Sequence, residues 1–467
     1  MPALARFYQQ KPAWHDCNDG FQCTSILVPL DYADPGRASI TLNLIRLPAT
    51  DPAHRIGSLL INPGGPGVSG IDYARHATEA FSARLRAVYD IVGFDPRGVG
   101  SSTPVRCISD RQTDALLAYD ASPDNAAEEQ GLLALNRQLA DGCATNSPTI
   151  LPLMGTVDAA RDMDVIRAVV GDATLHYFGA SYGTFLGATY AEEFPHKVGR
   201  MVLDGAIDPT LTPARLAEGQ LVGFDRALGS FLADCVQQSD CPVGPTVADA
   251  RAQIAELVAS ADQHPLPSQS GRPVTQSLVI LGLITPLYTK ANWPLLRAAL
   301  AEARDGNGDQ LLWLADLYAD RNADGTYNSN QNVATVAINC LDRPDHSTLP
   351  QLRAQSARFA QESPIFGPFL AWGDLPCTVW PAPPTDRPHQ IHAKGAAPIL
   401  VVGTTRDPAT PYPWARNLAA QLDSGRLLTR VGDGHTAYMR GSACIDDAVE
   451  RYLITGQLPP VGTVCTT

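Results

Sequence analysis

The sequence predicts an α/β protein, with a mostly parallel central sheet, helices on both faces and a helical insertion. Three observations predict it. Short apolar runs alternate with helical patterns up to about residue 205. Residues 210 to 385 are mostly helical in character. The strand and helix alternation then returns at residue 398 and continues to about 455. Apolar runs without a polar face are the mark of strands buried on both sides, as in parallel sheets.

The elements follow in order. Residues 1 to 37 read as irregular and tied down by Cys17 and Cys23. "SITLNLIRL" alternates like a strand. "SLLIN" (58 to 62) is a short apolar run that stops at "PGGPGVSG", a cluster of turn residues. "YDIVGFD" (89 to 95) is a second buried run, stopped by "PRGVGSS". From Thr156, a helical pattern puts Met163, Ile166 and Val170 on one face and ends at Gly171. Strand "LHYFG", a helix over 182 to 194 and strand "RMVLDG" (200 to 205) come next. The helical stretch after Pro209 includes "PARLAEGQLVGFDRALGSFLADC" and "WPLLRAALAEA". "PAPPTDRP" (381 to 388) reads as the linker back to the sheet. Strand "PILVVG" (398 to 403), a helix over 412 to 422, strand "RLLTRVG" (426 to 432) and a helix near 442 to 455 close the chain. The expected organisation is a core of residues 1–209 and 386–467, interrupted by a helical unit of residues 210–385.

Bulk properties narrow the function. The 467 residues are 45% hydrophobic, so a packed globular protein is expected. No apolar run approaches the ~18 residues that span a membrane. The net charge of -13, without a basic stripe, speaks against nucleic acid and anionic lipid as partners. Ten cysteines fall in five couples: Cys17 with Cys23, Cys107 with Cys143, Cys235 with Cys241, Cys340 with Cys377 and Cys444 with Cys465. No Cys-x-x-Cys pair of the kind zinc favours occurs, so five disulfides and an oxidising compartment are expected. The N-terminal "MPALARFYQQKPAWHDC" lacks an apolar export signal, so an exported chain would be the mature form.

The chemistry starts at "GASYG", residues 179 to 183, between a strand pattern and a helix pattern. Gly-x-Ser-x-Gly in that setting is a nucleophile elbow, a turn so sharp that the serine's neighbours must be small. Ser181 would project its hydroxyl beyond the strand's carboxyl end, at a helix N-terminus that favours negative charge. A serine needs a base, and the base needs an orienting acid. In this arrangement the chain order is Ser, acid, His. His435 in "GDGHTAY" follows the strand "RLLTRVG" and sits at the same sheet edge. His264, His346, His389 and His392 lie in the expected insertion or linker, and His196 in a helix-to-strand loop. Asp407 in "TTRDPATP" follows "PILVVG" and is the expected acid. Asp433, two residues before His435, is a rival better suited to shaping the turn. Arg406 needs no role.

An oxyanion also has to be held. One backbone N–H comes from the residue after the nucleophile, Tyr182, and one from the glycine-rich loop after "SLLIN", where Gly65 is the choice. The same loop contains Gly65, Gly67 and Gly70 in the dinucleotide spacing, but Pro66 stiffens it and the Ser-Asp-His set explains it without a cofactor. Asp320, Asn322, Asp324 and Gly325 open like a calcium loop, yet Gln331 stands where a bidentate Glu is wanted, so a polar turn is expected. Neither a metal nor a cofactor is expected.

Together, "CTSILVPLDYADP", "INPGGPGVSG", "GFDPRGVGSS", "GASYGTFLGATYAEEFP", "VLDGAIDP", "AINCLD", "CTVWP", "DPATPYPWAR" and "GDGHT" reach from residue 23 to 436. In these stretches the chain resembles secreted bacterial α/β-hydrolases of the tripeptidyl aminopeptidase type, relatives of prolyl aminopeptidases. The resemblance implies the α/β-hydrolase fold, the same Ser181, Asp407 and His435, and a helical insertion that caps the site. Asn62-Pro63 stands where prolyl aminopeptidases carry a His, and Val68 replaces a glycine common in the tripeptidyl type. It further implies an anion in the cap for the substrate's α-ammonium, with Asp342 in "AINCLD" first and Glu218 second. The expected activity is that of a secreted serine hydrolase releasing short N-terminal peptides from substrates with a free N-terminus. An esterase or lactonase on the same scaffold is the first rival, and a non-catalytic binding protein is the second. The sequence leaves the oligomeric state open.

Overall fold

The computed structural model describes residues 2–344 and 346–466. The strands are β1 (His15–Asp16), β2 (Gln22–Pro29), β3 (Ser39–Leu47), β4 (Gly57–Asn62), β5 (Tyr89–Phe94), β6 (Leu175–Ala180), β7 (Val198–Asp204), β8 (Ile399–Arg406), β9 (Gly425–Asp433) and β10 (Val464–Thr466). They form one ten-stranded sheet in the order β1-β2-β3-β5-β4-β6-β7-β8-β9-β10. The pairs from β5 through β4 to β10 are parallel, and the pairs linking β1, β2, β3 and β5 are antiparallel. Every residue of β4 and β5 is buried, as strands covered on both faces require.

The order contains a switch point. From β4 the chain crosses to β5 on one side, and it later returns to place β6 on the other. Connections that leave neighbouring strands in opposite directions open a crevice at the strands' carboxyl ends. The loop after β4 holds Gly65, and the turn after β6 holds Ser181. The sheet order alone therefore puts both at one place.

One apolar cluster on the sheet includes Met163, Ile166, Leu186 and Met201. The opposite face is packed by Phe81, Phe178, Tyr438 and Ile445. A third cluster lies among helices that connect β7 to β8, and includes Phe224, Phe231, Leu283 and Phe366. The clusters cross the boundaries expected from sequence. Leu132, on the helix Ala126–Asn146, belongs to this third cluster. Val333, Ala337 and Leu341, on the helix Gln331–Asp342, belong to the first. That helix is thus bedded on the sheet layer although it lies inside the expected insertion.

Two short regions differ from the sequence reading. The described part of residues 1 to 37, from residue 2 on, is not irregular: it holds the helix Pro2–Tyr8, β1 and β2. β2 buries Thr24, Ile26 and Val28 and exposes Ser25 and Leu27. That alternation is masked by the apolar Leu27, which is 46% exposed. β10 has three residues, too few for a period to show, and its Cys465 is joined to Cys444. The five disulfides pair as the sequence couples suggest. No helix among the described residues is long and apolar enough to cross a membrane.

Candidate active site

Ser181 sits between β6 and the helix Tyr182–Glu193 with φ 55° and ψ -125°. A non-glycine residue rarely takes that conformation, and it persists only where the surroundings enforce it. The two flanking glycines are part of that enforcement. A Cβ on Gly179 would lie 2.3 Å from the Gly183 carbonyl oxygen, and one on Gly183 would lie 2.7 Å from the Asn62 carbonyl oxygen. Neither position accepts a side chain.

Asp407 and His435 come together at the ends of β8 and β9. His435 Nδ1 lies 2.9 and 3.0 Å from the two Asp407 carboxylate oxygens. A carboxylate only accepts, so Nδ1 carries the proton and Nε2 is left as the acceptor for a hydroxyl. Asp407 is buried, and the amides of Ala409, Thr410 and Thr436 donate to it at 3.0, 2.8 and 3.1 Å. Thr410 Oγ1 is a further neighbour of Nδ1 at 3.3 Å. Asp433 is turned away: Arg406 donates to both of its oxygens at 2.6 and 2.7 Å. Burial pushes the Asp433 carboxyl up, but the hydrogen bonds from Arg406 and Ser230, with the Arg406 and Lys290 charges, together hold the group below the ordinary carboxylate value. Arg406, which sequence reasoning left without a role, therefore occupies the rival acid.

Asp204, at the end of β7, joins the serine turn to the histidine loop, and sequence reasoning missed it. Its backbone carbonyl accepts the Ser181 N–H at 2.9 Å. Its buried carboxylate accepts the amides of Ala437 and Tyr438 at 3.0 and 2.9 Å. Burial raises its carboxyl above the ordinary value, against the lowering effect of those amides. Tyr288 was also missed. Its carbonyl accepts the His435 N–H at 2.7 Å, and its ring meets the imidazole edge-on at 5.3 Å between centroids. A cavity of about 390 Å³ opens beside His435 and is lined by Pro63, Tyr73, Phe178 and Tyr438 among others.

The glycine-rich loop touches the serine turn. A Cβ on Gly64 would lie 2.8 Å from Ser181 Cβ and 2.9 Å from the Tyr182 nitrogen. Gly65 is exposed at the loop tip with φ 103°. Among the described residues, the N–H groups of Gly65 and Tyr182 have no hydrogen-bond partner. One of these amides directly follows Ser181 at a helix N-terminus, and the other follows Gly64, which packs on the serine turn. Gly67 and Gly70 serve close packing. A Cβ there would lie 3.0 Å from the Thr335 nitrogen and 2.1 Å from the Phe94 carbonyl oxygen, respectively.

The two carboxylates expected to read an ammonium are both engaged. Asp342 is buried, and Thr156 donates to its two oxygens, through N–H at 2.8 Å and Oγ1 at 2.6 Å. Burial pushes its carboxyl up to about 6, against those hydrogen bonds. Glu218 sits on the helix Pro213–Cys235, with one oxygen on Arg215 at 2.8 Å and the other on Arg358 at 2.7 Å. The Arg358 bond leads in holding it below the ordinary value. Each oxygen of both residues thus has a protein donor. The calcium-like loop is likewise self-contained. Asp320 accepts from Asn328 and Ser329, and Asp324 accepts from Thr326.

Comparison with known proteins adds to this geometry. Residues 57–250 match the family model described as "alpha/beta hydrolase fold", and residues 363–465 match the one described as "TAP-like protein". The chain is 40% identical to "Serine protease Hip1" of Mycobacterium tuberculosis, over 96% of this chain and 87% of that protein. It is 37% identical to "Carboxylesterase B" of the same organism, over 97% of this chain and 89% of that one. It is 32% identical to "Tripeptidyl aminopeptidase" of Streptomyces lividans, over 99% of this chain and 88% of that one.

Proposed function

The chain belongs to the α/β-hydrolase family that includes the TAP-like proteins, and on that premise we propose that this serine hydrolase is an aminopeptidase acting through Ser181, His435 and Asp407. The observation that carries the residue roles is the His435–Asp407 pair at 2.9 Å, tied through Asp204 to the strained Ser181 turn.

His435 Nε2 takes the Ser181 proton as Oγ attacks the substrate carbonyl. The Asp407 carboxylate holds the imidazole in the tautomer that permits this and stabilises the imidazolium that forms. The tetrahedral oxyanion is held by the Gly65 and Tyr182 amides. His435 then gives the proton to the leaving amine, and water, activated by the same imidazole, hydrolyses the acyl-enzyme. The relative named for tripeptide release supports a peptide with a free N-terminus as substrate. Five disulfides support an oxidising compartment outside the cytoplasm.

A carboxylesterase is the second reading, favoured by the 37% identical relative of that name. One pair of substrates separates them: a tripeptide with a chromogenic leaving group, its N-terminus free or acetylated. The aminopeptidase reading predicts a large loss of kcat/KM on acetylation. Equal rates, or ester hydrolysis without amide hydrolysis, would transfer the assignment to the esterase.

A further inference from the structure

The glycine-rich loop has few hydrogen bonds to hold it. Gly64, Gly65 and Gly67 have φ of 105°, 103° and 90°, a run without side chains to anchor it. Within the loop, the Gly64 N–H donates to Asn62 Oδ1 at 3.0 Å and the Val68 N–H to the Gly64 carbonyl at 3.4 Å. Among the described residues, one hydrogen bond reaches residues 63–68 from a distant element. Thr335 Oγ1 donates to the Pro66 carbonyl at 2.5 Å. The same helical turn packs on the loop: a Cβ at Gly67 would lie 3.1 Å from Ala334 Cβ and 3.1 Å from the Gln331 carbonyl oxygen.

The other donor, Tyr182, is held through its side chain. Its hydroxyl lies 2.5 Å from Thr156 Oγ1. Thr156 Oγ1 gives its one proton to Asp342, so the phenol must donate to Thr156. The chain runs Tyr182 O–H to Thr156 O–H to the Asp342 carboxylate. The same carboxylate takes the Thr156 N–H, at the first turn of the helix Thr156–Val169.

Both tethers end on one element. Thr335 and Asp342 lie on the helix Gln331–Asp342, seven residues apart. That spacing is two turns, about 10 Å along one helix face. We infer that this helix is the brace of the oxyanion hole: Thr335 sets the Gly65 side and Asp342, through Thr156, sets the Tyr182 side. The inference rests on the reading of Gly65 and Tyr182 as the donors. It makes Thr335, Thr156 and Asp342 positioning residues, with no contact to substrate required. Donors have to sit about 2.7–3.1 Å from the oxyanion, and removal of one costs about 10²–10³ in kcat. A donor left in place but loosened loses part of that.

The variants that test this are Thr335→Val, which keeps shape and removes the hydroxyl, and Thr335→Ser, which restores it. Thr335 is half-buried on the helix surface, so the valine is accommodated. Each is assayed with an amide and an ester substrate and with a peptide boronate, whose tetrahedral adduct on a serine puts an oxygen in the hole. The expected result is a fall in kcat of about 10- to 100-fold for Thr335→Val on both substrates. KM should stay within about threefold, boronate affinity should fall in parallel, and Thr335→Ser should recover most of the loss. Asp342→Asn should show the same split if it folds. A wild-type kcat in Thr335→Val, or a rise in KM alone, would overturn the inference. So would loss of kcat with boronate affinity unchanged. Ser181→Ala assayed alongside separates the two claims: activity surviving that change removes the underlying reading and the brace with it, whereas lost activity there beside a wild-type kcat in Thr335→Val removes the brace alone.

Discussion

The two halves of the site are held in different ways. The Asp407–His435 half is fixed by the sheet's own loops. Buried carboxylates at the ends of β7 and β8 accept neighbouring backbone amides, three on Asp407 and two on Asp204. The half proposed to hold the oxyanion consists of a glycine run and a helix start. Its tethers come from the helix Gln331–Asp342, whose Thr335 lies 269 residues after Pro66 in the chain. The first half is therefore built into the sheet, and the second is completed by a segment from elsewhere in the sequence. Precision in the first comes from buried charge satisfied by amides, and in the second from side-chain tethers.

The hardest blow to the sheet-built half is Asp407→Asn. The amide can present its N–H to Nδ1 and favour the wrong tautomer, so kcat should fall by about 10⁴-fold with the fold intact. A loss under about tenfold would show that Asp407 does not orient His435. Asp204→Ala comes next. It leaves the Ala437 and Tyr438 amides buried without an acceptor, and should cost about 2 to 4 kcal/mol in urea unfolding. An unchanged midpoint would mean that the clamp between the serine turn and the histidine loop is dispensable.

Asp342 probes the other half through pH. Its carboxyl is raised by burial from 3.8 to about 6, with Arg343 lowering it, Asp386 raising it and the Tyr182 hydroxyl nearby. A folded value above the unfolded one means the folded state holds the extra proton between the two. Stability from this group is therefore complete below about pH 4 and is lost as pH rises through about 6. Relative to Asp342→Asn, the wild type should gain about 2 kcal/mol on going from pH 7 to pH 4.5. Parallel pH profiles for the two proteins would contradict this. The smallest effects belong to the exposed pairs. Glu218→Gln breaks contacts to Arg215 and Arg358, whose side chains are 72% and 49% exposed, and should change stability by less than about 1 kcal/mol. Its kcat/KM should stay within about threefold, and a larger loss would return Glu218 to the substrate.

What was legible in the sequence divides along the same line. Ser181, Asp407 and His435 each follow a strand pattern within a few residues, so local strings locate them. The glycines of the elbow and of the loop after β4 were legible for the same reason. Asp204, Tyr288 and Thr335 were not, because their roles exist only where distant segments meet. Asp204 reaches Ala437 across 233 residues, and nothing in "VLDGAIDP" announces the partner. Asp342 was singled out as a functional acid, but its burial and its two bonds from Thr156 depend on how the helix Gln331–Asp342 beds onto the sheet layer. Arg406 and Asp433 were read separately, although the parallel pairing of β8 and β9 sets them face to face. β2 was hidden by the exposed Leu27 and β10 by its length.

The central claim is that the strained serine after β6 is the nucleophile. The most direct measurement is to label the protein with a fluorophosphonate and locate the adduct by mass spectrometry, in the wild type and in Ser181→Ala. The account predicts a single adduct on the peptide carrying Ser181, absent from the variant together with all turnover. An adduct at another residue, or an active protein that carries none, would contradict it.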